Sequence, residues 1–269
     1  MPLININGVN LHYDSKGKGK AIVCLHGYTS NSSVFSGQLS GLALNYKVVT
    51  YDLRGHGKSE APSREEDYHI PVLAKDLLEL LKFLDIKECC LIGHSGGGHV
   101  ALQFAMEHQD MLKALVFIST SSEERPRTQN YYEHRKRIEE IARDKGIEAA
   151  FEYDSSNSLD WKEQFKKHPE QKEEVRKRVL SMSVDGYIYI VRARAKRENL
   201  TPRLNTIHVP TLIFWGDQDF KMSNSVQVLK RGIPGSELAI IKGAGHLPQW
   251  ENPAEFNNIL VQFLNRINW

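Results

Sequence analysis

The sequence has little cysteine, little net charge and no long apolar run. Cys24, Cys89 and Cys90 are the three cysteines in 269 residues. So odd and sparse a set lacks the spacing of a zinc site and cannot supply a disulfide framework. All three fall in apolar, strand-like segments, where a free thiol packs as a small core side chain. A reducing compartment is expected. Net charge is only +2, so there is no electrostatic footprint for nucleic acid or for an anionic membrane surface. The opening MPLININGVNLHYDSKGKGK has no basic stretch followed by an apolar one. A secretory leader is therefore not expected, and the expected location is cytoplasmic. The nearest approach to a membrane span is the uncharged run 89–106, which carries four glycines, two histidines, a serine and a glutamine. A lipid-facing helix tolerates that content poorly, and the run reads as a buried strand, a turn and a buried helix. Internal repeats and low-complexity tracts are also lacking.

What is present is ordinary for a globular chain, with 41% apolar and 25% charged residues. The length suits one sizeable domain, or one domain carrying an insertion. LININ and VNLHYDS, separated by Gly8, predict an antiparallel hairpin. AIVCL, YKVVTYD, CCLIG, ALVFIST, TLIFWG and ELAIIK are apolar and β-branched, as buried parallel strands require. Helical spacing lies between them in VLAKDLLELLKFL and HVALQFAMEH, and again at the end in AEFNNILVQFLNRI. Strands alternating with helices predict an α/β sheet with right-handed crossovers. Residues 122–206 break this rhythm with dense mixed charge and interleaved aromatics. They are expected to form a helical insertion whose charges are solvated faces.

GHSGG, residues 93–97, follows CCLI directly and opens the apolar helix. A strand, a tight G-x-S-x-G turn and a helix are the context of a nucleophile elbow. There the serine is held in a strained conformation with its hydroxyl above the sheet. The helix start aims free N–H groups at the place where negative charge develops. A phosphate-binding turn fits less well, because GHSGGG has no following lysine and does not match G-x-G-x-x-G. Ser95 is therefore the expected nucleophile. A serine hydroxyl needs a base, and the base needs an orienting acid. His246 lies in GAGHLPQWENP, after the last strand, where a loop reaches the carboxyl edge of the sheet. Asp217 and Asp219 follow TLIFWG. Asp219 reaches further into the rim and is the expected acid, with Asp217 organising the turn. His94, beside the serine, is expected to point away from the hydroxyl, and His26 and His56 to serve as structural hydrogen-bonding residues. The backbone N–H groups of Gly96 and Tyr28 are the expected oxyanion donors. Tyr28, Phe220 and Trp250 are the expected pocket side chains.

LHGYTSNSS, YDLRGHGKS, GHSGGG, WGDQD and GAGHLPQWENPAEF together resemble the α/β-hydrolase superfamily. The resemblance covers the expected core, residues 1–121 and 207–269, and implies that 122–206 form a helical cap over the site. It also implies a mostly parallel eight-stranded sheet flanked by helices, its second strand antiparallel, with the cap inserted between strands 6 and 7. Arg54, His56 and Ser59 are then scaffold. A serine nucleophile argues against dehalogenases and epoxide hydrolases, which carry aspartate, and the general look is that of esterases, enol-lactonases and haloperoxidase-like enzymes. The implied reaction is acyl transfer on a small, largely apolar ester or lactone, without metal or organic cofactor. A monomer or homodimer is expected, with neither nucleic acid nor membrane as partner. Two alternatives stay open: hydrolysis of a carbon–carbon bond in a diketone or dienoate, and a ligand sensor that retains the triad.

Overall fold

The computed structural model describes residues 3–123 and 128–269. Asn7 and Gly8 both have positive φ, 50° and 80°. They form the two-residue turn that joins β1 (Leu3–Ile6) to β2 (Val9–Lys16) as an antiparallel hairpin. The apolar runs supply β3 (Ala21–Leu25), β4 (Lys47–Tyr51), β5 (Cys89–His94), β6 (Leu112–Ile118), β7 (Thr211–Gly216) and β8 (Glu237–Ile241). The strand order is β1-β2-β4-β3-β5-β6-β7-β8. β2 is antiparallel to both neighbours and every other pairing is parallel. β3 and β5 are buried along their whole length, as strands covered on both faces must be, whereas β8 at the edge is half open.

Successive strand residues point to opposite faces. Val23 and Leu25 therefore join one apolar cluster while Ile22 and Cys24 join the other. The first is covered by α2 (Ile70–Phe83), α3 (Gly96–Glu107) and α8 (Ser223–Gly232), whose leucines and valines face the sheet. α1 (Ser36–Gly41), the single turn α9 (Pro248–Glu251) and α10 (Pro253–Arg266) lie on the other side. There Phe256 packs on Phe214 with ring centroids 4.1 Å apart. The three cysteines are buried and unpaired. Burial pushes the Cys89 thiol up to about 12, which leaves it a core side chain rather than a reactive one.

Between β6 and β7 the chain forms α4 (Gln129–Asn157), bent at Gly146, then α5 (Leu159–Lys167), α6 (Gln171–Leu180) and α7 (Val184–Ala195). The insertion is thus helical, as its charge pattern and aromatics predict. Exposed pairs such as Lys172–Glu152 and Lys177–Glu174 lie on its solvated faces. Its inner face is continuous with the core, because Ile138, Phe151 and Ile188 belong to the same apolar cluster as α2 and α3. Tyr189 of α7 meets Tyr68 with centroids 5.7 Å apart, and Arg192 donates to Glu65 at 2.8 Å. Among the described residues no helix is long and apolar enough to cross a membrane.

The loop after β4 is held to α2 by a buried ion pair. Arg54 Nε and Nη2 donate to the two carboxylate oxygens of Asp76 at 2.7 and 2.6 Å, with both residues at most 3% exposed. Asn7 Nδ2 gives Asp76 a third bond at 2.9 Å. Removing one partner leaves the other charge buried and uncompensated, which costs about 3–5 kcal/mol, whereas removing both is often close to neutral. Arg54→Met is therefore expected to lower the unfolding free energy by about that amount in urea melts, and adding Asp76→Leu to recover most of it.

Candidate active site

Ser95 links the end of β5 to the start of α3 with φ 48° and ψ −111°. A positive φ at a residue other than glycine costs about 1–3 kcal/mol, so the surroundings must impose it. The Ser95 N–H donates to Ile118 O at 2.8 Å. Its carbonyl accepts from Gly98 N at 3.0 Å and from Thr120 Oγ1 at 2.6 Å. Glycine is required on both sides because the backbones touch. A Cβ on Gly97 would stand 2.4 Å from Leu25 O, and one on Gly93 would stand 2.7 Å from Gly97 O. The G-x-S-x-G spacing is thus a packing requirement of this turn.

Asp219 sits in the turn after β7, its N–H on Gly216 O at 2.9 Å and its carbonyl accepting from Trp215 Nε1 at 2.9 Å. Its carboxylate is 2.7 Å from His246 Nδ1 and 7% exposed. Burial by itself raises the carboxyl pKa. Burial is the largest single cause, but the adjacent imidazole and its hydrogen bond, together with the neighbouring Ser119 hydroxyl, outweigh it and hold Asp219 below its ordinary value. An ionised Asp219 can only accept, so His246 Nδ1 carries the proton of this bond. Asp217 does something else: its carboxylate accepts from Gly243 N at 2.8 Å and fixes the loop after β8.

Two residues hold the His246 loop: Glu251, which the sequence does not single out, and His94, of which it predicts only that the ring faces away from the Ser95 hydroxyl. Glu251 reaches back from α9 so that its two oxygens accept from the N–H groups flanking the histidine, Gly245 at 2.7 Å and Leu247 at 3.0 Å. The signal available in the sequence is an acidic residue in the first turn of a helix opened by Pro248. His94 lies beneath His246, with ring centroids 5.0 Å apart and Nε2 donating to the His246 carbonyl at 2.9 Å. Burial, and then the neighbouring His246, push His94 well below its ordinary value, so it is a neutral strut.

His26 and His56 are buried in the loops after β3 and β4. His26 accepts the Leu53 N–H at 3.0 Å on Nε2, so Nδ1 donates to Gly27 O at 2.7 Å. His56 Nδ1 donates to Arg54 O at 3.0 Å. Asp52, also passed over in the sequence, accepts from Ser32 N at 2.7 Å and Lys58 N at 2.9 Å and binds these same loops together. Ser59 Oγ donates to Asp52 O at 2.5 Å.

A cavity of about 250 Å³ is lined by Ser95, Asp219 and His246 together. Phe220 and Met222 are apolar parts of the wall, while Gln164 and His168 from the insertion and Arg194 from α7 are polar parts. Tyr28 and Trp250 are not among the lining residues. The Tyr28 ring instead covers Gly96, where a Cβ would come within 2.5 Å of it, and its hydroxyl meets His99 Nδ1 at 3.1 Å. Trp250 carries the Arg178 guanidinium 5.2 Å above its ring. Gly96 is the first residue of α3, so no preceding helical turn supplies an acceptor for its N–H. Among the described residues no cluster of three or more His, Cys, Asp or Glu side chains is arranged to hold a metal ion.

A family profile described as the alpha/beta hydrolase fold matches residues 20–253. The chain is an α/β hydrolase. The AB hydrolase superfamily protein YisY of Bacillus subtilis is 31% identical to it over 96% of both chains. A thermophilic esterase from Thermogutta terrifontis superimposes on the hydrolase with a TM-score of 0.86 and 26% identity, covering 99% of this chain and 98% of its own. The enol-lactonase of Burkholderia xenovorans LB400 does so with 0.83 and 25%, covering 98% and 100%.

The buried histidines of the hydrolase make its stability depend on pH. His26, His56 and His94 all lie below the ordinary 6.5, chiefly through burial, and His56 is lowered to about 3. Below pH 6.5 the unfolded chain therefore binds protons that the folded chain does not, and stability falls as pH drops, by at most about 1.4 kcal/mol per pH unit for each histidine. Urea melts at pH 7.5, 6.0 and 5.0 are expected to show this loss well above the range where carboxylates titrate. Replacing His56 by Gln is expected to make the loss shallower, leaving the share that His26 and His94 contribute.

Proposed function

We propose that the protein is a serine hydrolase that cleaves a carboxylic ester or lactone of a small molecule through an acyl-enzyme. The observation that carries this reading is the 2.7 Å Asp219–His246 pair opening into one cavity with Ser95 at its strained turn. His246 Nε2 takes the proton of Ser95 Oγ as that oxygen bonds to the substrate carbonyl carbon. Asp219 keeps the imidazole in the required tautomer and stabilises the cation that forms. The N–H groups of Gly96 and Tyr28 receive the oxyanion, a contribution of about 3–4 kcal/mol for each well-aimed donor. The tetrahedral intermediate collapses, the carbon–oxygen bond to the leaving group breaks, and His246 returns its proton to the leaving alkoxide. A water deprotonated by His246 then attacks the acyl carbon, and Ser95 leaves as the free hydroxyl with the acid as second product. Residues 122–206 act in this reading as a cap that narrows the substrate's approach, supplying Gln164, His168 and Arg194 to the cavity wall. The cytoplasmic setting suits three buried cysteines that remain unpaired.

One observation favours a second reading, carbon–carbon cleavage of a diketone or dienoate acid by the same three residues. Arg194 and Lys221 both line the cavity, and cations there suit a substrate that carries a carboxylate. Turnover of a dienoate with negligible ester turnover would select it.

The test is steady-state hydrolysis of p-nitrophenyl acetate by the native chain and three variants. Ser95→Ala and His246→Ala are each expected to lower kcat at least about 10³-fold, and Asp219→Asn by up to about 10⁴-fold through the wrong tautomer. Residual rates should not multiply when variants are combined, because the three groups act as one unit. Full activity in Ser95→Ala would overturn the reading.

Glu251→Gln is a milder probe. It keeps one acceptor and loses the charge, and is expected to lower kcat more than it raises KM while leaving the unfolding temperature within a few degrees.

A further inference from the structure

A second cavity of about 350 Å³ lies between α2, α3 and α7 and shares two wall residues, His99 and Ser121, with the cavity that holds Ser95. The two differ in character. The wall beside Ser95 is about equally polar and apolar, whereas that of the second is mostly apolar, with Ile70, Leu102, Ala193 and Leu200, each at most 5% exposed, beside the polar Gln103 and Arg197. Its mouth carries the exposed Lys196 and Glu198. The first cavity alone, at about 250 Å³, falls below the size usual for a ligand site, ~300–1,000 Å³, and the two together fall within it.

At the wall they share, the His99 imidazole is held at both edges. His99 Nδ1 meets Tyr28 Oη at 3.1 Å and Nε2 meets Ser121 Oγ at 3.3 Å. Hydroxyls can donate or accept, so a neutral ring satisfies both partners in either tautomer. His99 stands one helical turn beyond Ser95 on α3 and lines both cavities.

We propose that the second cavity is the subsite for the apolar chain of the substrate's acyl group, and that the His99 ring is the gate the chain displaces to enter it. The proposal rests on the serine-hydrolase reading for its substrate, and gives that substrate a shape: a polar ester group beside Ser95 and an apolar tail beyond His99. Burying the tail removes apolar surface from water, so affinity grows with chain length until the cavity is filled. The gate makes selectivity a property of α3 and α7 rather than of the triad.

Two substitutions from opposite walls fill the cavity, Ala193→Phe from α7 and Val72→Trp from α2, and near-ultraviolet dichroism checks that each folds. The ratio of kcat/KM for p-nitrophenyl decanoate to that for p-nitrophenyl acetate is expected to fall at least tenfold in both. In His99→Ala, where the cavities merge, the ratio should rise. Calorimetric titration of decanoate into Ser95→Ala, with and without Ala193→Phe, reads the subsite without catalysis, and the added phenylalanine should weaken binding at least tenfold. An unchanged ratio together with unchanged decanoate binding overturns the subsite. A ratio that does not rise in His99→Ala overturns the gate. If no ester is turned over while decanoate binding still falls in the filled variant, the subsite stands and the serine-hydrolase reading is the part that fails.

Discussion

The left-handed backbone of Ser95 is the constraint around which the candidate site and the strands beneath it are arranged. Holding it needs β5 flanked closely by β3 and β6, since Leu25 O abuts Gly97 and Ile118 O takes the Ser95 N–H. That in turn demands strands buried on both faces and hence helices on both sides. The loops after β3, β7 and β8 then all emerge at the same rim, carrying Tyr28, Asp219 and His246. Strain of a few kcal/mol at one residue is sustained by a sheet whose burial is far larger in total.

Much of the architecture could be read from the sequence because it depends on local patterning. Apolar runs of five to seven residues in the central strands and leucines at helical spacing in α2 need no partner to be recognised. The Ser95 turn was legible for the same reason: its glycines lie within two residues of the serine. Glu251 and His94 were not, because their work is done on backbone groups of a loop. His94 meets its acceptor 152 residues away, and no pattern in GHSGG shows that the ring turns toward His246. Trp250 illustrates the converse. Its place in the histidine loop suggested a pocket residue, but the first turn of α9 sends its ring to Arg178. The second cavity was equally illegible, since it is a gap left among three helices and no residue type marks a gap.

The insertion between β6 and β7 was readable in kind and not in placement. Mixed charge and interleaved aromatics predicted helices with one buried face, and the buried face proved continuous with the core through Ile138, Phe151 and Ile188. What sequence could not give is how closely it sits: Gly186 of α7 touches Gly55 so tightly that a Cβ would lie 2.5 Å from the Gly55 carbonyl oxygen. Contact of backbone on backbone fixes α7 relative to the loop after β4. The cavity walls that α7 supplies are therefore as well defined as those of the sheet.

The hydrogen bonds that fix residue 95 all belong to its main chain: its N–H to Ile118, its carbonyl to Gly98 and Thr120. Among the described residues no hydrogen bond of the Ser95 side chain helps to hold the turn. The backbone geometry and the side chain it presents are thus separable at this position. The frame that holds this backbone is therefore a property of the sheet and of α3, and the chemistry it presents depends on the side chain placed there.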